Sequence, residues 1–484
     1  MLHIYNTLSR EVEPFKPLSQ TGVKVYYCGP TVYNFAHIGN LRTYLFEDVV
    51  IRTLRFLGYK VQTTMNITDI DDKTIRDSIK TGENLMDFTQ RYTKSFLEDL
   101  AALHVIPADE IVPISTLTDE MIMMIQGLID KGFAYLADDG SVYYRISKFK
   151  SYGELAHLDM SGMKTSVRIN NDEYAKDSAA DFALWKAYDA TSDGANKWDA
   201  EFTVNGKTVA VPGRPGWHIE CSACNLKHLG PQIDIHMGGV DNIFPHHQNE
   251  IAQSEAFTGK PFSTYWMHGE HLMVEGKKMA KSANNFYTLR DLYEKLPEVP
   301  PKQIARAFRL LSFTTSYRET FNFTFTSLTA GLKTLESFDA ILDRIRNAPV
   351  VTGKVRKDVR EFVQMAMLDF VDYLEDDINM PEALARIHEC INDINRVMDS
   401  TDLYTGEISA VVELLKSFDT VLGLFDFERL TAVELPEEIV FLMQQRDTAK
   451  ANKDFALSDS IRAQLEGFDY VVTDTKTGTK VQKK

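Results

Sequence analysis

Between Val23 and Met65 the spacing of apolar positions changes twice. Val23-Lys24-Val25-Tyr26-Tyr27-Cys28 alternates in strand-forming residues and Gly29-Pro30 stops it, which predicts a strand. From Gly39 to Leu57 the apolar residues fall at helical spacing. Phe46, Val50, Leu54 and Leu57 make one row, Leu41, Leu45 and Val49 lie beside it, and Gly58 closes the segment. Tyr59 to Met65 reads as a second strand. Strand, helix and strand in so short a stretch make a βαβ unit, the building block of a parallel sheet. Ile233-Asp234-Ile235-His236, ended by Gly238-Gly239, predicts a further strand.

The stretch from Ile111 to Gly216 is less regular, with a helical piece over Glu120 to Lys131, a hairpin turn at Asp138-Asp139-Gly140 and a Pro/Gly loop over Val211 to Gly216. It reads as an insertion that splits the sheet domain. After Ser327 the period is helical almost throughout: Leu328, Leu332, Leu335 and Phe338 form one stripe, Leu384, Ile387, Ile391 and Ile394 a second, Val411, Leu414, Leu415 and Phe418 a third. The end differs again, with a charged helix from Glu437, another near Phe455 to Leu465, and a short Tyr470-Val471-Val472 strand. The expected division is therefore 1–110 and 217–265 for the two halves of an α/β sheet domain and 111–216 for the insertion. Residues 266–326 would form a lysine-rich loop and linker, 327–425 a helical bundle, and 426–484 a small terminal α/β domain.

Composition narrows the class without naming a reaction. Hydrophobic residues are 44% and charged residues 25% of 484, which excludes disordered and collagen-like chains. No apolar run reaches the roughly 18 residues that span a bilayer. Arg10, Glu11 and Glu13 interrupt the N-terminal stretch before a signal-peptide core could form. Four cysteines in so long a chain are no disulfide framework, so thiols in a reducing cytoplasm are expected. Lys+Arg 53 against Asp+Glu 69 gives a net charge of -16, which argues against non-specific coating of nucleic acid while leaving room for a local basic groove.

Candidate chemistry collects in three places. Cys28 stands at the end of a parallel strand, where open sheets bind ligands, and His37 and Gly39 lie in the loop that opens the next helix. A helix N-terminus suits a phosphate, and neither the P-loop nor the dinucleotide glycine pattern is present. A loop histidine that merely caps the helix fits the same four residues. Lys277-Lys278-Met279-Ala280-Lys281-Ser282 follows Glu275-Gly276; it is either a solvated lysine face or a loop that brings two ammonium groups onto polyphosphate. The third place is Gly216-Trp217-His218-Ile219-Glu220-Cys221-Ser222-Ala223-Cys224 with Phe244-Pro245-His246-His247-Gln248-Asn249-Glu250. On a helix begun by Pro245 and ended by Gly259, His246 and Glu250 share a face at i and i+4, whereas His247 meets Ile251. Cys28, Cys221, His246 and Glu250 then make a donor set suited to tetrahedral zinc. The Cys221-x-x-Cys224 pair lacks a second such pair, the metalloprotease H-E-x-x-H is not formed, and plain buried cysteines remain open.

The His-x-Gly-x signature after the first strand and the Lys-Met-x-Lys-Ser loop resemble the paired signatures of class I aminoacyl-tRNA synthetases. Asn66-Ile67-Thr68-Asp69-Ile70-Asp71-Asp72-Lys73 looks like the matching stretch of that class. Cys-Gly-Pro-Thr-Val-Tyr, Gly-Trp-His-Ile-Glu-Cys-Ser-Ala and Phe-Pro-His-His-x-Asn-Glu-Ile-Ala-Gln-Ser are similar to the cysteinyl-tRNA synthetases specifically. The likeness covers nearly the whole chain, including Lys453-Asp454-Phe455-Ala456 with Asp459 and Arg462 at its anticodon end. The resemblance implies a Rossmann-like catalytic domain with an insertion, a mostly helical tRNA-binding region and a small terminal domain. It implies zinc on Cys28, Cys221, His246 and Glu250, with Cys28, Thr68, Trp217 and His236 around the cysteine. ATP would meet Gly39, Asn40, Gly239, Asp241, Met279 and Lys281, with His37, Lys278 and Lys281 catalytic, Mg-ATP as substrate and tRNA(Cys) as acceptor. A cytoplasmic monomer is expected.

Two positions depart from the family signatures: Asn40 where a second histidine stands, and Ala280 where a serine stands. Asparagine still donates a hydrogen bond to phosphate but carries no charge. Shape separates cysteine from serine poorly, one group in a pocket being worth about 1–3 kcal/mol. A soft metal that bonds a thiolate and ignores a hydroxyl removes the need for an editing domain, and Glu250 is the ligand expected to lengthen. The alternatives are a cysteine:aminosugar ligase on the same core, which has no use for the C-terminal helices, and a non-catalytic zinc and RNA-binding module, which intact His37, Gly39, Lys278 and Lys281 oppose.

Overall fold

The computed structural model describes residues 1–158, 181–279, 285–349, 351–431, 436–475 and 478–483. A five-stranded parallel sheet is built from β1 (Val23–Tyr27), β2 (Val61–Ile67), β3 (Glu110–Pro113), β4 (Ile233–Gly239) and β5 (Ser263–Gly269). Its order is β5-β4-β1-β2-β3. This is the doubly wound arrangement, whose direction of progression reverses between β1 and β4 and opens a crevice at their carboxyl ends. Val25, Tyr26, Ile233, Ile235 and Met237 are buried, as strands covered on both faces require.

The crossover from β1 to β2 is helix α1 (Ile38–Phe56), whose rows Leu41, Leu45, Val49 and Phe46, Val50, Leu54 are all buried. Its N-cap is His37. The Asn40 N–H donates to His37 Nδ1 at 3.2 Å, and the His37 N–H donates to Asn40 Oδ1 at 3.3 Å, a reciprocal capping box.

The sheet extends past the expected borders on both sides. β3 pairs Thr64 to Ile67 with Glu110 to Pro113, and β5 continues to Gly269, because short parallel edge segments carry too few apolar residues to stand out. Helix α2 (Trp217–His228) replaces what sequence pattern left as an unassigned motif. The insertion folds as an antiparallel sheet of Ala134–Leu136, Val142–Tyr144, Phe182–Ala187 and Gly213–Pro215, flanked by the helix Thr118–Asp130. It is no separate lobe: Leu184, Trp185 and Phe202 share one apolar core with Tyr26, Ile233 and Trp266 of the sheet domain.

Helices Phe325–Arg346, Lys357–Glu375, Met380–Ser400 and Thr405–Leu422 follow, with the predicted stripes turned inward. Arg309, fully buried on the helix Pro301–Ser312, donates to the carbonyls of Leu103 and Leu422 and pairs with Asp48 of α1 at 2.6 Å. The chain divides into two compact units, Met1–Ile341 with Ala348–Phe425, and Leu342–Asn347 with Asp426–Lys484. The second unit packs Ile439, Leu442, Ile461, Leu465, Tyr470 and Val472 between two helices and a hairpin, Tyr470–Thr475 with Gly478–Lys483. No helix among the described residues is long and apolar enough to cross a membrane.

Candidate active site

A cavity of about 400 Å³ opens at the carboxyl ends of β1, β2 and β4, where the strand order reverses. Gly29 makes its wall possible: a Cβ there would stand 1.5 Å from the Asn66 carbonyl oxygen, so the chain leaving β1 lies flat on the end of β2. Asn66, itself buried, holds both elements together. Its Oδ1 accepts from the Gly29 N–H at 2.9 Å and the Tyr26 hydroxyl at 3.1 Å, and its Nδ2 donates to Thr68 Oγ1 at 3.1 Å.

On the cavity floor Cys28 Sγ lies 3.8 Å from Cys221 Sγ and 3.4 Å from His246 Nε2, and His246 Nε2 lies 3.8 Å from Glu250 Oε2. One donor atom from each of these four residues lies within 4.8 Å of all the others. Cys28 enters from the end of β1, Cys221 from the first turns of α2, and His246 and Glu250 from the entry to α3 (Gln248–Thr258).

That entry departs from the expected helix. The chain kinks at Phe244, which is extended between Ile243 and Pro245, so Pro245 precedes α3 rather than beginning it. As a result both histidines face the carboxylate, contrary to the expectation that His247 has no acidic neighbour. His247 Nε2 lies 3.5 Å from Cys28 Sγ and 3.9 Å from Glu250 Oε2, and a second donor group of Cys28, His236, His247 and Glu250 exists. The i+4 argument overlooked the i+3 neighbour, which is as close on a helical surface.

The other ring nitrogens are also engaged. His246 Nδ1 lies 2.9 Å from His218 Nδ1, and His247 Nδ1 lies 2.8 Å from His268 Nε2, whose Nδ1 meets Thr7 Oγ1 at 2.7 Å. Burial pulls the imidazoles of His218, His246 and His268 down to about 3, so they stand neutral, ready to donate lone pairs. The same burial pushes the Cys28 thiol well up and raises that of Cys221. Glu250 is wholly buried, and neither of its oxygens accepts a well-aligned hydrogen bond among the described residues. A carboxylate in that position calls for a cation. Two sulfurs, an imidazole and a carboxylate oxygen fit a borderline-soft divalent ion.

Most of the remaining sequence-derived candidates surround this floor. Thr68 and Trp217 line the cavity; Thr68 Oγ1 donates to Glu220 Oε2 at 3.0 Å, and the Trp217 ring stacks on His246 at 4.4 Å. His37, Gly39, Asn40, Gly239, Asp241, Lys278 and Met279 line the opposite, more open end. Met279 covers Gly39 so closely that its Cε lies 2.6 Å from where a Cβ would stand. His236 is different. It lies fully buried behind the wall, stacked on Trp266 with its Nε2 3.0 Å from Glu250 Oε2. Asn40 is partly committed through the capping box. Lys281 and Ala280 lie outside the described residues. Sequence reasoning assigned no role to Asn66, His218 or His268; the histidine content around the two motifs was the signal available.

A doubly wound sheet with a soft-donor floor, a helix N-terminus and Lys278 of the short strand Lys277–Lys278 around one cavity is the pattern of a class I tRNA synthetase. Residues 14–333 match the family model for the tRNA synthetases class I (C) catalytic domain, and residues 369–426 match the DALR domain. The cysteine–tRNA ligase of Chlamydia abortus is 42% identical over 482 residues, covering 100% of this chain and 98% of the relative, and that of Protochlamydia amoebophila is 40% identical with the same coverage. The chain belongs to the cysteine–tRNA ligase family and is an enzyme of the ligase class. Among solved structures, a methionyl-tRNA synthetase of Mycobacterium tuberculosis superposes with TM-score 0.59 at 14% identity, over 84% of this chain and 92% of that one. A LeuRS of Agrobacterium radiobacter gives 0.58 at 12% identity over 95% of each, a likeness of fold.

Proposed function

We propose that the cavity joins cysteine to ATP, forming cysteinyl-adenylate and releasing pyrophosphate, and then passes the cysteinyl group to the terminal ribose of tRNA(Cys), releasing AMP. The observation that carries this is the convergence of Cys28, Cys221, His246 and Glu250 on the floor of the same cavity whose rim holds His37, Gly39 and Lys278. An ion bound tetrahedrally about 2.3 Å from each of two sulfurs sets them about 3.8 Å apart, the spacing of Cys28 and Cys221. The set with two thiols is therefore the better seat for zinc than the set with His236 and His247. When bound there, zinc supplies a soft Lewis acid that takes the thiolate of cysteine and passes over the hydroxyl of serine.

The chain's own residues do the rest. His218, hydrogen-bonded to His246, fixes that ring so that Nε2 faces the sulfurs, the outer support that metal-bound imidazoles need. Trp217, stacked on the same ring, closes one side of the pocket, and Thr68 borders the other. The cysteine carboxylate attacks the α-phosphorus of ATP. The first turn of α1 and His37 steady the phosphates, Lys278 and Lys281 meet the charge that grows on the leaving pyrophosphate, and Gly239 and Asp241 receive the ribose. Asn40, held by the His37 N–H, keeps its amide N–H groups for phosphate. His236 acts from behind the wall, through Glu250.

The enzyme works in the cytoplasm as a monomer, with Mg-ATP as substrate and tRNA laid along the helical region and the terminal unit. Cysteine-dependent exchange of pyrophosphate into ATP, abolished by a chelator and restored by zinc, is the expected result. Exchange that survives metal removal refutes the role of the floor. Transfer to an aminosugar instead of tRNA would transfer the reading to the sugar-ligase alternative.

A further inference from the structure

A second cavity, of about 190 Å³, lies on the other side of Tyr44 from the active site. Tyr44 lines both spaces, and Tyr27, Ile51, Met65 and Leu100 make the rear one largely apolar. Exposed Ala101 and Pro107 mark its rim, so it opens to solvent. An apolar cavity of about 150 Å³ holds a benzene-sized molecule.

Its interior contains one polar group out of place. Glu47 lines the cavity from α1, is only 1% exposed, and neither carboxyl oxygen has a hydrogen-bond partner among the described residues. The neighbouring carboxylate is already satisfied: Asp48 pairs with Arg52 at 2.8 Å and Arg309 at 2.6 Å and accepts from the Ile106 N–H at 2.8 Å. Burial alone pushes the Glu47 carboxyl well up, so an incoming ammonium group would supply the charge that burial denies it.

We infer that this rear cavity binds a small organic ammonium ion, one protonated amine on an apolar body about the size of a single ring, with Glu47 as its counter-ion and the rings of Tyr27 and Tyr44 beside it. Tyrosine rings and a carboxylate are the chemistry that recognises such a cation. The site lies apart from the ATP and cysteine positions, the two cavities sharing Tyr44 in their linings.

Benzylamine is the probe, titrated calorimetrically into the full-length protein saturated with ATP and the non-reacting alcohol of cysteine, with benzyl alcohol as the uncharged comparison. Saturable 1:1 binding of benzylamine is expected, weakened at least about tenfold in Glu47→Gln, whose isosteric amide keeps the fold. Benzyl alcohol should bind both proteins equally and more weakly. Ala101→Trp, which closes the rim without touching Glu47, should block both ligands. Binding that ATP and the cysteine analogue abolish, equal affinity for Glu47→Gln, or no saturable binding each overturns the proposal.

Discussion

Replacing Asn66 with Leu preserves the bulk of a buried side chain and removes the hydrogen bonds that fix the floor of the site. The Gly29 N–H at 2.9 Å and the Tyr26 hydroxyl at 3.1 Å both lose their acceptor, and Thr68 loses its donor. A buried donor left without a partner costs about 1–3 kcal/mol. Tyr26 is fully buried and Gly29 only partly, so the two together come to about 2–5 kcal/mol. The functional loss follows from geometry. Gly29 adjoins Cys28, and Cys221 Sγ lies 3.6 Å from Asn66 Oδ1, so one side chain holds both sulfurs in register. Loss of such an outer support lowers metal affinity about 10–100-fold. Competition with a chromophoric chelator measures zinc affinity, and urea denaturation measures stability. Asn66→Asp, which keeps the acceptors for Gly29 and Tyr26, should retain most of the stability. A leucine variant that binds zinc like the wild type while unfolding more easily would refute the anchoring argument.

Further outcomes are expected. Glu47 holds its proton in the folded protein above 4.5, where the unfolded chain has lost it, so the folded state binds more protons and stability falls as pH rises. Glu47→Gln should therefore gain on the wild type progressively as pH rises above the ordinary carboxylate range, until the folded carboxyl itself ionises, read from urea midpoints; a pH-independent difference contradicts this. Arg309→Met leaves Asp48 and two buried carbonyls without that partner and should cost about 3–5 kcal/mol, a loss below 1 kcal/mol showing that Arg52 suffices alone. Lys278→Ala should slow pyrophosphate exchange at least about tenfold while cysteine still binds, a charge aimed at a growing anion being worth that much; an unchanged rate removes Lys278 from the reaction. On the proposal that discrimination lies in the metal, seryl-tRNA should be hydrolysed no faster with enzyme than in buffer, which a deacylation time course checks.

The parts of the fold that repeat a period were legible in sequence. The rows of α1 and the three helical stripes after Ser327 fall where the spacing put them, since each stripe must bury itself. Helix α2 was not legible: its residues His218 to Asn225 are all buried, so no polar face marks a helical period. The four floor donors could be named because chemistry restricts their residue types. The nearness of His247 was open to the same reading, since Glu250 stands at i+3, but counting only i+4 neighbours passed it over. Asn66 escaped notice because its work is done by an ordinary amide whose partners are backbone and tyrosine, groups present throughout any sequence.

The floor of the cavity draws its donors from residues 28, 221, 246 and 250, on either side of the insertion. During synthesis the first thiol therefore leaves the ribosome some two hundred residues before its counterparts. No ion can be captured by the finished quartet until α3 has emerged and docked, and a nascent chain stalled inside the insertion would expose Cys28 to adventitious oxidation. On the proposal that this floor holds zinc, metal loading would be a late maturation checkpoint, and starvation for the ion should act on newly made copies before it reaches those already assembled.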